Sequence, residues 1–112
     1  MDIVTRDAVR QVLLSWQAGH LAANDVHRWA SDRYPGGAPK DDLVVEILAR
    51  LDMLDLNLMT PDDIPVLVQA LDLPRARMAE AISLLEHYDT AVDIDTRKRA
   101  LASDPFYARF CT

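Results

Sequence analysis

Residues 41–71, DDLVVEILARLDMLDLNLMTPDDIPVLVQAL, constrain the fold more than any other stretch of the chain. Leu43, Val44, Ile47, Leu48, Leu51, Leu54 and Leu58 recur at helical spacing and fall within one broad stripe. Asp42, Glu46, Arg50, Met53 and Asn57 form an outward polar strip, and Val45, Ala49, Asp52 and Leu56 run between the two. A helix with a single narrow polar strip is covered on most of its sides. The pattern predicts a long central helix, capped by Asp41 or Asp42 and reaching Leu58, then a proline-bearing corner and a second apolar helix.

The flanking segments read as shorter helices. Thr5 is a good N-cap for a first helix running to Ala18, with Asp7 in its first turn and Gly19 as a left-handed stop. Ala8, Val9, Val12, Leu13 and Trp16 make its inner face. A second helix follows from about Ala22 to Tyr34, capped by Asn24 or begun slightly earlier, with Val26, Trp29 and Ala30 inward. The short Gly19-His20 link predicts an antiparallel hairpin. Pro35-Gly36-Gly37-Ala38-Pro39 is a loop by composition.

After Leu58, Thr60-Pro61 is a start signal, yet Pro65 conflicts with a helix begun there. A start at Asp62 or Asp63 puts Pro65 within the first turn and leaves Thr60-Pro61 as the preceding turn. Val66, Leu67, Ala70 and Leu71 then face inward. Asp62 and Asp63 both sit at the helix N-terminus, where the dipole stabilises a carboxylate by ~0.3–1 kcal/mol. The next helix runs from Pro74 to about Tyr88, burying Met78, Ala81, Ile82 and Leu85, and Asp89-Thr90-Ala91 breaks it. Asp93 or Asp95 caps a last helix through Leu101, ahead of Pro105. The aromatic tail Phe106-Tyr107-Ala108-Arg109-Phe110 is expected to pack back on the body, since exposed it would form a sticky patch. No stretch alternates for long enough to predict a strand. The fold class that results is all-α: one domain, a compact bundle of five to six helices with an N-terminal hairpin packed on a central helix.

A chain of 112 residues, half of them hydrophobic, is long enough for such a core. With 18 acids against 12 Lys and Arg, the formal net charge is −6. That balance disfavours nucleic acid and anionic membranes as partners and suits a basic protein. Cys111 is the single cysteine, so no internal disulfide can form and a reducing cytosol is the simpler compartment. No apolar run approaches the ~20 residues that span a bilayer, and the N-terminus lacks the features of a signal peptide.

Chemistry-bearing constellations are sparse. His20, His27 and His87 are too scattered for the usual zinc spacing and read as ordinary histidines. Asp42 and Glu46 share a helix face and could hold Mg²⁺ or Ca²⁺ in a metal-dependent enzyme, but an exposed Glu46–Arg50 ion pair is the simpler use of that spacing. Neither Cys111 nor any serine lies in a nucleophile motif, and no glycine-rich phosphate loop is present. The expectation is a protein without catalytic function, metal or cofactor. Arg97-Lys98-Arg99 is locally basic, but consecutive helical residues point to different sides.

From Asp41 to Asp72 there are eight acids and one base, Arg50. The cluster is either a solvated face with its N-cap aspartates or a docking surface that steers a basic partner. The docking reading assigns partner binding to Asp42, Glu46, Asp52, Asp55, Asp62 and Asp63. It expects replacements at Asp52, Asp55, Asp62 and Asp63 to weaken binding without unfolding the domain. A rival reading makes Val45, Ala49 and Leu56 the self-interface of a homo-oligomer or adaptor, so the expected state is a monomer or weak dimer.

Two stretches carry a resemblance. Trp16-Gln17-Ala18-Gly19-His20-Leu21 with Val26-His27-Arg28-Trp29-Ala30, and Val45 through Leu54 with Leu58 through Pro65, resemble a group of small acidic bacterial proteins. Members mostly have no assigned activity, and some are similar to immunity proteins of contact-dependent growth-inhibition systems. The resemblance spans about the first two-thirds of the chain and rests on caps, helix links and core leucines, so it transfers no site residue. It implies a cytosolic protein that binds one toxin domain and occludes its active site or substrate-binding surface. Many such toxins are nucleases with basic clefts, which an acidic inhibitor would suit.

Overall fold

The computed structural model describes residues 4–34 and 41–111; the predicted loop at 35–39 lies outside them. Six α-helices follow in order: α1 (Arg6–Gln17), α2 (Ala23–Arg33), α3 (Asp42–Asp52), α4 (Ile64–Asp72), α5 (Met78–Ala91) and α6 (Ile94–Leu101). Short 3-10 turns at Pro61–Asp63 and Arg75–Arg77 lead into α4 and α5, and a third, Ala108–Phe110, closes the tail. Among the described residues there is no strand. The chain is an all-α bundle.

Local signals act as their chemistry predicts. Thr5 Oγ1 accepts from the Ala8 amide at 3.1 Å and starts α1. Gly19, at φ 84°, ends it in the left-handed conformation, with the Gly19 amide on the Trp16 carbonyl and the His20 amide on the Ser15 carbonyl. The Asp25 carboxylate accepts from the Ala22 amide at 2.9 Å at the head of α2. Thr60 Oγ1 takes the Asp62 amide while the Asp63 carboxylate takes the Thr60 amide at 2.9 Å, a reciprocal cap. The 3-10 turn then gives way to α4 at Ile64, which leaves Pro65 in the first turn where no helical N–H is required. Asp93 caps α6 through the Thr96 amide.

Helix α3 is the inner rod. Leu43, Val44, Ile47, Leu48 and Leu51 have no exposed surface. Helix α2 packs against α3, α4 pairs with α5, α1 touches both α2 and α4, and α5 reaches back to α3. The aromatic tail folds onto this core: Tyr107 is buried, with Phe106 and Phe110 packed beside it.

Two helix ends differ from the sequence reading. Helix α3 stops at Asp52, not Leu58, although Leu54 and Leu58 are still buried. Residues 53–58 form turns that close with the Leu58 amide on the Asp55 carbonyl and the Met59 amide on the Leu54 carbonyl. This is the same 5→2 and 6→1 pairing that ends α1, but with Leu58 at φ 54° in place of a glycine. A leucine there costs roughly 1–2 kcal/mol. Burial of its side chain and a 3.2 Å hydrogen bond from Arg97 to its carbonyl hold it in place. Conversely, Asp89-Thr90-Ala91 does not break α5, which runs to Ala91. Asp89 instead accepts from Arg50 at 2.6 Å, and the Thr90 hydroxyl bonds the His87 carbonyl within the helix.

The cap of α3 carries an acid sensitivity. The buried Asp41 carboxylate accepts from the Leu43 and Val44 amides and from Arg6 at 2.8 Å. Burial alone would raise its pKa, but the Arg6 hydrogen bond and charge, helped by the two amides, hold it below the ordinary value of 3.8. A depressed folded-state pKa means stability that is present above 3.8 and lost as pH falls further. Asp41→Asn is therefore expected to be less stable than the wild type at pH 7 and to show a shallower fall in urea midpoint between pH 5 and 2. Parallel acid limbs would contradict this role for Asp41.

Candidate functional site

The six carboxylates expected to face a partner have very different surroundings. Asp42 is exposed in the first turn of α3. Glu46 is half-buried and pairs with Arg50 at 3.1 Å, as the i, i+4 spacing predicts. Asp52 accepts from the Ser31 hydroxyl at 2.8 Å, and its backbone carbonyl meets His27 Nε2 at 2.9 Å. Asp62 is exposed on the turn before α4.

The remaining two are buried, which corrects the expectation of open carboxylates at these positions. Asp55 is 8% exposed; it accepts from the Leu56 amide and lies 3.4 Å from Arg109 and 3.7 Å from His27. Asp63 is 3% exposed and accepts from four groups. These are the Thr60 amide at 2.9 Å, the Tyr88 hydroxyl at 2.5 Å, and Arg97 through Nη1 at 2.8 Å and Nη2 at 2.6 Å. The corner folds around this cluster, and a replacement at Asp63 acts on stability before it acts on any partner. Two other acids of the cluster are likewise paired: Asp41 with Arg6, and Asp72 with Arg10.

Of the apolar side chains exposed at the same corner, Leu56 was read in the sequence as an interface candidate with Val45 and Ala49, and Met53 only as part of the outward strip. Met53 and Leu56 are 45% and 46% exposed, on the turn that joins α3 to Thr60. Next to it a cleft of about 340 Å³ opens among α3, the corner, α4, α5 and α6. Met59, Val66, Leu67, Leu85, Val92 and Ile94 supply its apolar wall, and Arg50, Asn57, Asp63, Tyr88, Asp89 and Arg97 its polar part.

The polar part is internally matched. Arg50 bridges Glu46 and Asp89, and Arg97 bridges Asp63 and Tyr88. The Asp89 hydrogen bond raises the Arg50 pKa, and the Asp63 hydrogen bond raises that of Arg97. Burial, then Asp63, raises that of Tyr88. All three are held more firmly protonated, so none of them can serve as a base near neutral pH. Among the described residues no three His, Cys, Asp or Glu side chains converge on a point that could hold a metal. The arrangement is a recess with an apolar wall and a frame of paired arginines and aspartates.

Arg97 was missed in the sequence, where Arg97-Lys98-Arg99 counted only as a locally basic run, though a signal for it exists. Ile94, Arg97 and Leu101 share one face of α6, and a lone arginine on an apolar stripe reads as a buried partner for an acid. Which acid it meets, 34 positions upstream, is set by the tertiary fold.

Comparison with protein-family models, curated proteins and solved structures gives no match.

Proposed function

We propose that this chain is a non-enzymatic binding protein of the immunity type, which neutralises a basic bacterial toxin domain in the cytoplasm by covering its functional surface. One observation carries the reading. Met53 and Leu56 stand exposed on a corner that the half-buried Arg97 ties down through the buried Asp63 carboxylate and the Leu58 carbonyl. Protein interfaces place apolar anchors at their centre and charged groups at their rim, and Asp62 is exposed on that corner. The net charge of −6 adds long-range attraction to a basic partner, and the resemblance in residues 16–30 and 45–65 points the same way.

The test is co-expression with a toxin domain encoded in the adjacent reading frame. Growth should be restored, and the two chains should co-elute at one-to-one stoichiometry. Met53→Glu combined with Leu56→Glu should weaken the complex at least tenfold while the melting temperature holds. Asp62→Lys should mainly slow association at low salt, because rim charges act on encounter. Absence of both rescue and complex would end the immunity reading; an unaffected affinity in the double variant would move the interface elsewhere. Self-association is the second reading, favoured by the exposure of Leu56, with Val45 and Ala49 half-buried behind it. Sedimentation velocity at micromolar concentration separates the two, since a monomer excludes it.

A further inference from the structure

We propose that residues 53–58 are a two-state segment: the C-terminal strap from Arg97 to Arg109 latches them as a turn, and its release lets α3 run on as one helix to Leu58.

The segment is already close to helical. The Asn57 amide bonds the Met53 carbonyl at 2.8 Å, the spacing of an α-helix. Other helical bonds have been exchanged for different partners. The Leu56 amide is taken by the Asp55 carboxylate at 2.8 Å, while the Asp52 carbonyl it would meet in a helix is held by His27 Nε2 at 2.9 Å. The Leu58 amide bonds the Asp55 carbonyl at 3.2 Å, and the Leu54 carbonyl it would meet accepts from the Met59 amide at 3.0 Å. Swapping these partners restores the helical ladder and leaves neither amide unpaired. Leu54 and Leu58 then continue the stripe of Leu43, Ile47 and Leu51 at helical spacing. Leu58 also leaves φ 54°, which the Cβ of a leucine disfavours.

Much of what opposes this local preference comes from one part of the chain. Arg97 donates to the Leu58 carbonyl at 3.2 Å and grips Asp63 through both terminal nitrogens. The Tyr107 hydroxyl donates to the Met59 carbonyl, and Arg109 reaches Asp55 at 3.4 Å. All of these ties run from the strap to residues 55–63. The strap itself is lightly seated: no residue of α6 is buried, and between Arg97 and Arg109 only Tyr107 is. Elements with few buried contacts open at a lower cost than the whole domain. A strained segment held by a separable strap has the two discrete arrangements that a switch requires. Met53 and Leu56 lie within the segment, so a partner that grips them as the turn presents them selects the latched state. That consequence rests on the docking reading of the corner; the two-state segment does not.

Glycine and alanine at position 58 read out the state, because the turn favours glycine and the helix favours alanine. In the otherwise unchanged full chain, Leu58→Gly should fold with an equilibrium constant about tenfold larger than Leu58→Ala. With Arg97→Met added to unlatch the strap, the order should reverse, Leu58→Ala leading by about fivefold. In Arg97→Met alone, NMR should show the Cα shifts of residues 53–58 becoming uniformly helical and the φ-dependent amide coupling at Leu58 falling to its helical value. If an Arg97→Met chain fails to fold, Tyr107→Phe takes its place; it removes only the tie to Met59 and should move the same resonances part of the way.

Leu58→Ala equal to or above Leu58→Gly in the latched chain overturns the strained turn. An order that survives unlatching, or resonances of 53–58 that stay in place while those of the strap move, shows the corner to be fixed by the core and overturns the switch. Toxin rescue with either of these results leaves the immunity reading standing. Reversal of the order without rescue supports the switch and removes the immunity reading.

Discussion

Arg97→Ala is expected to lower the stability of the domain by about 3 kcal/mol, the low end for breaking a buried ion pair, because the Asp63 carboxylate is buried while Arg97 itself is half-buried. The change leaves the Asp63 carboxylate, 3% exposed, with only the Thr60 amide and the Tyr88 hydroxyl. It also strips the Leu58 carbonyl of its arginine donor just where the backbone occupies an unfavourable φ of 54°. For a domain of this size, total stability is on the order of 5–15 kcal/mol, so a large share would go and the melting temperature would fall by about 10 °C or more. Urea denaturation provides the measurement, with the m-value watched for loss of two-state behaviour. Two comparisons isolate the cause. Asp63→Asn together with Arg97→Met removes both charges while keeping an acceptor for Thr60, and should lose less than the two single changes added together. Arg77→Ala, which breaks the exposed pair with Glu80, should leave the midpoint where it was. An Arg97→Ala midpoint within experimental error of the wild type would show that the ion pair contributes nothing to the corner.

The contrast between Arg97 and the caps explains what was legible in the chain. Thr5, Asp41 and Asp93 cap helices through partners two or three residues away, so the residue type at the right offset was sufficient; Thr60 caps in the same way, although Pro65 had argued for a start at Asp62 or Asp63. The leucine stripe of α3 was legible for the same reason, because its period is a property of the helix itself. The end of α3 was not. Leu54 and Leu58 continue the helical spacing and are buried, yet the chain has already turned; a leucine takes the glycine role at the left-handed position because Arg97 and the surrounding core hold it there. Gly19 announces the same geometry openly, since glycine enters it at little cost. Asp89 misled in the opposite direction. Its type suggests a helix end, but its carboxylate is used by Arg50, 39 positions earlier. The candidate site follows the same division. Counting acids between residues 41 and 72 locates negative charge along the chain but cannot reveal that Asp41, Asp55, Asp63 and Asp72 each meet an arginine from a distant segment.

Tyr107→Ala is expected to cost about 3 kcal/mol, in the range for truncating a large buried aromatic. The ring is 3% exposed and packs edge-on against Phe106, with centroids 4.9 Å apart. Its hydroxyl donates to the Met59 carbonyl, directly beyond the strained Leu58, so the tail supports the corner one residue from the carbonyl that Arg97 holds. Tyr107→Phe keeps the packing and loses only that bond, leaving a carbonyl without its donor at a cost of roughly 1–3 kcal/mol. The two variants should therefore fall in order, with Ala the more damaging. A second readout separates hydrogen bond from packing. Burial, reinforced by Asp104 and Asp63, pushes the Tyr107 hydroxyl above its ordinary pKa of 10.0. A raised folded-state value means stability that is intact below pH 10 and is lost as pH climbs past it. Tyr88 is shifted in the same direction, so Tyr107→Phe should make the alkaline limb shallower without removing it. If the tail were merely appended, deletion of residues 104–112 would leave the urea midpoint unchanged and both tyrosine variants would match the wild type. A deletion that costs at least as much as Tyr107→Ala instead makes the tail part of the core. Asp55, which Arg109 reaches at 3.4 Å, is then partly covered by the chain's own tail.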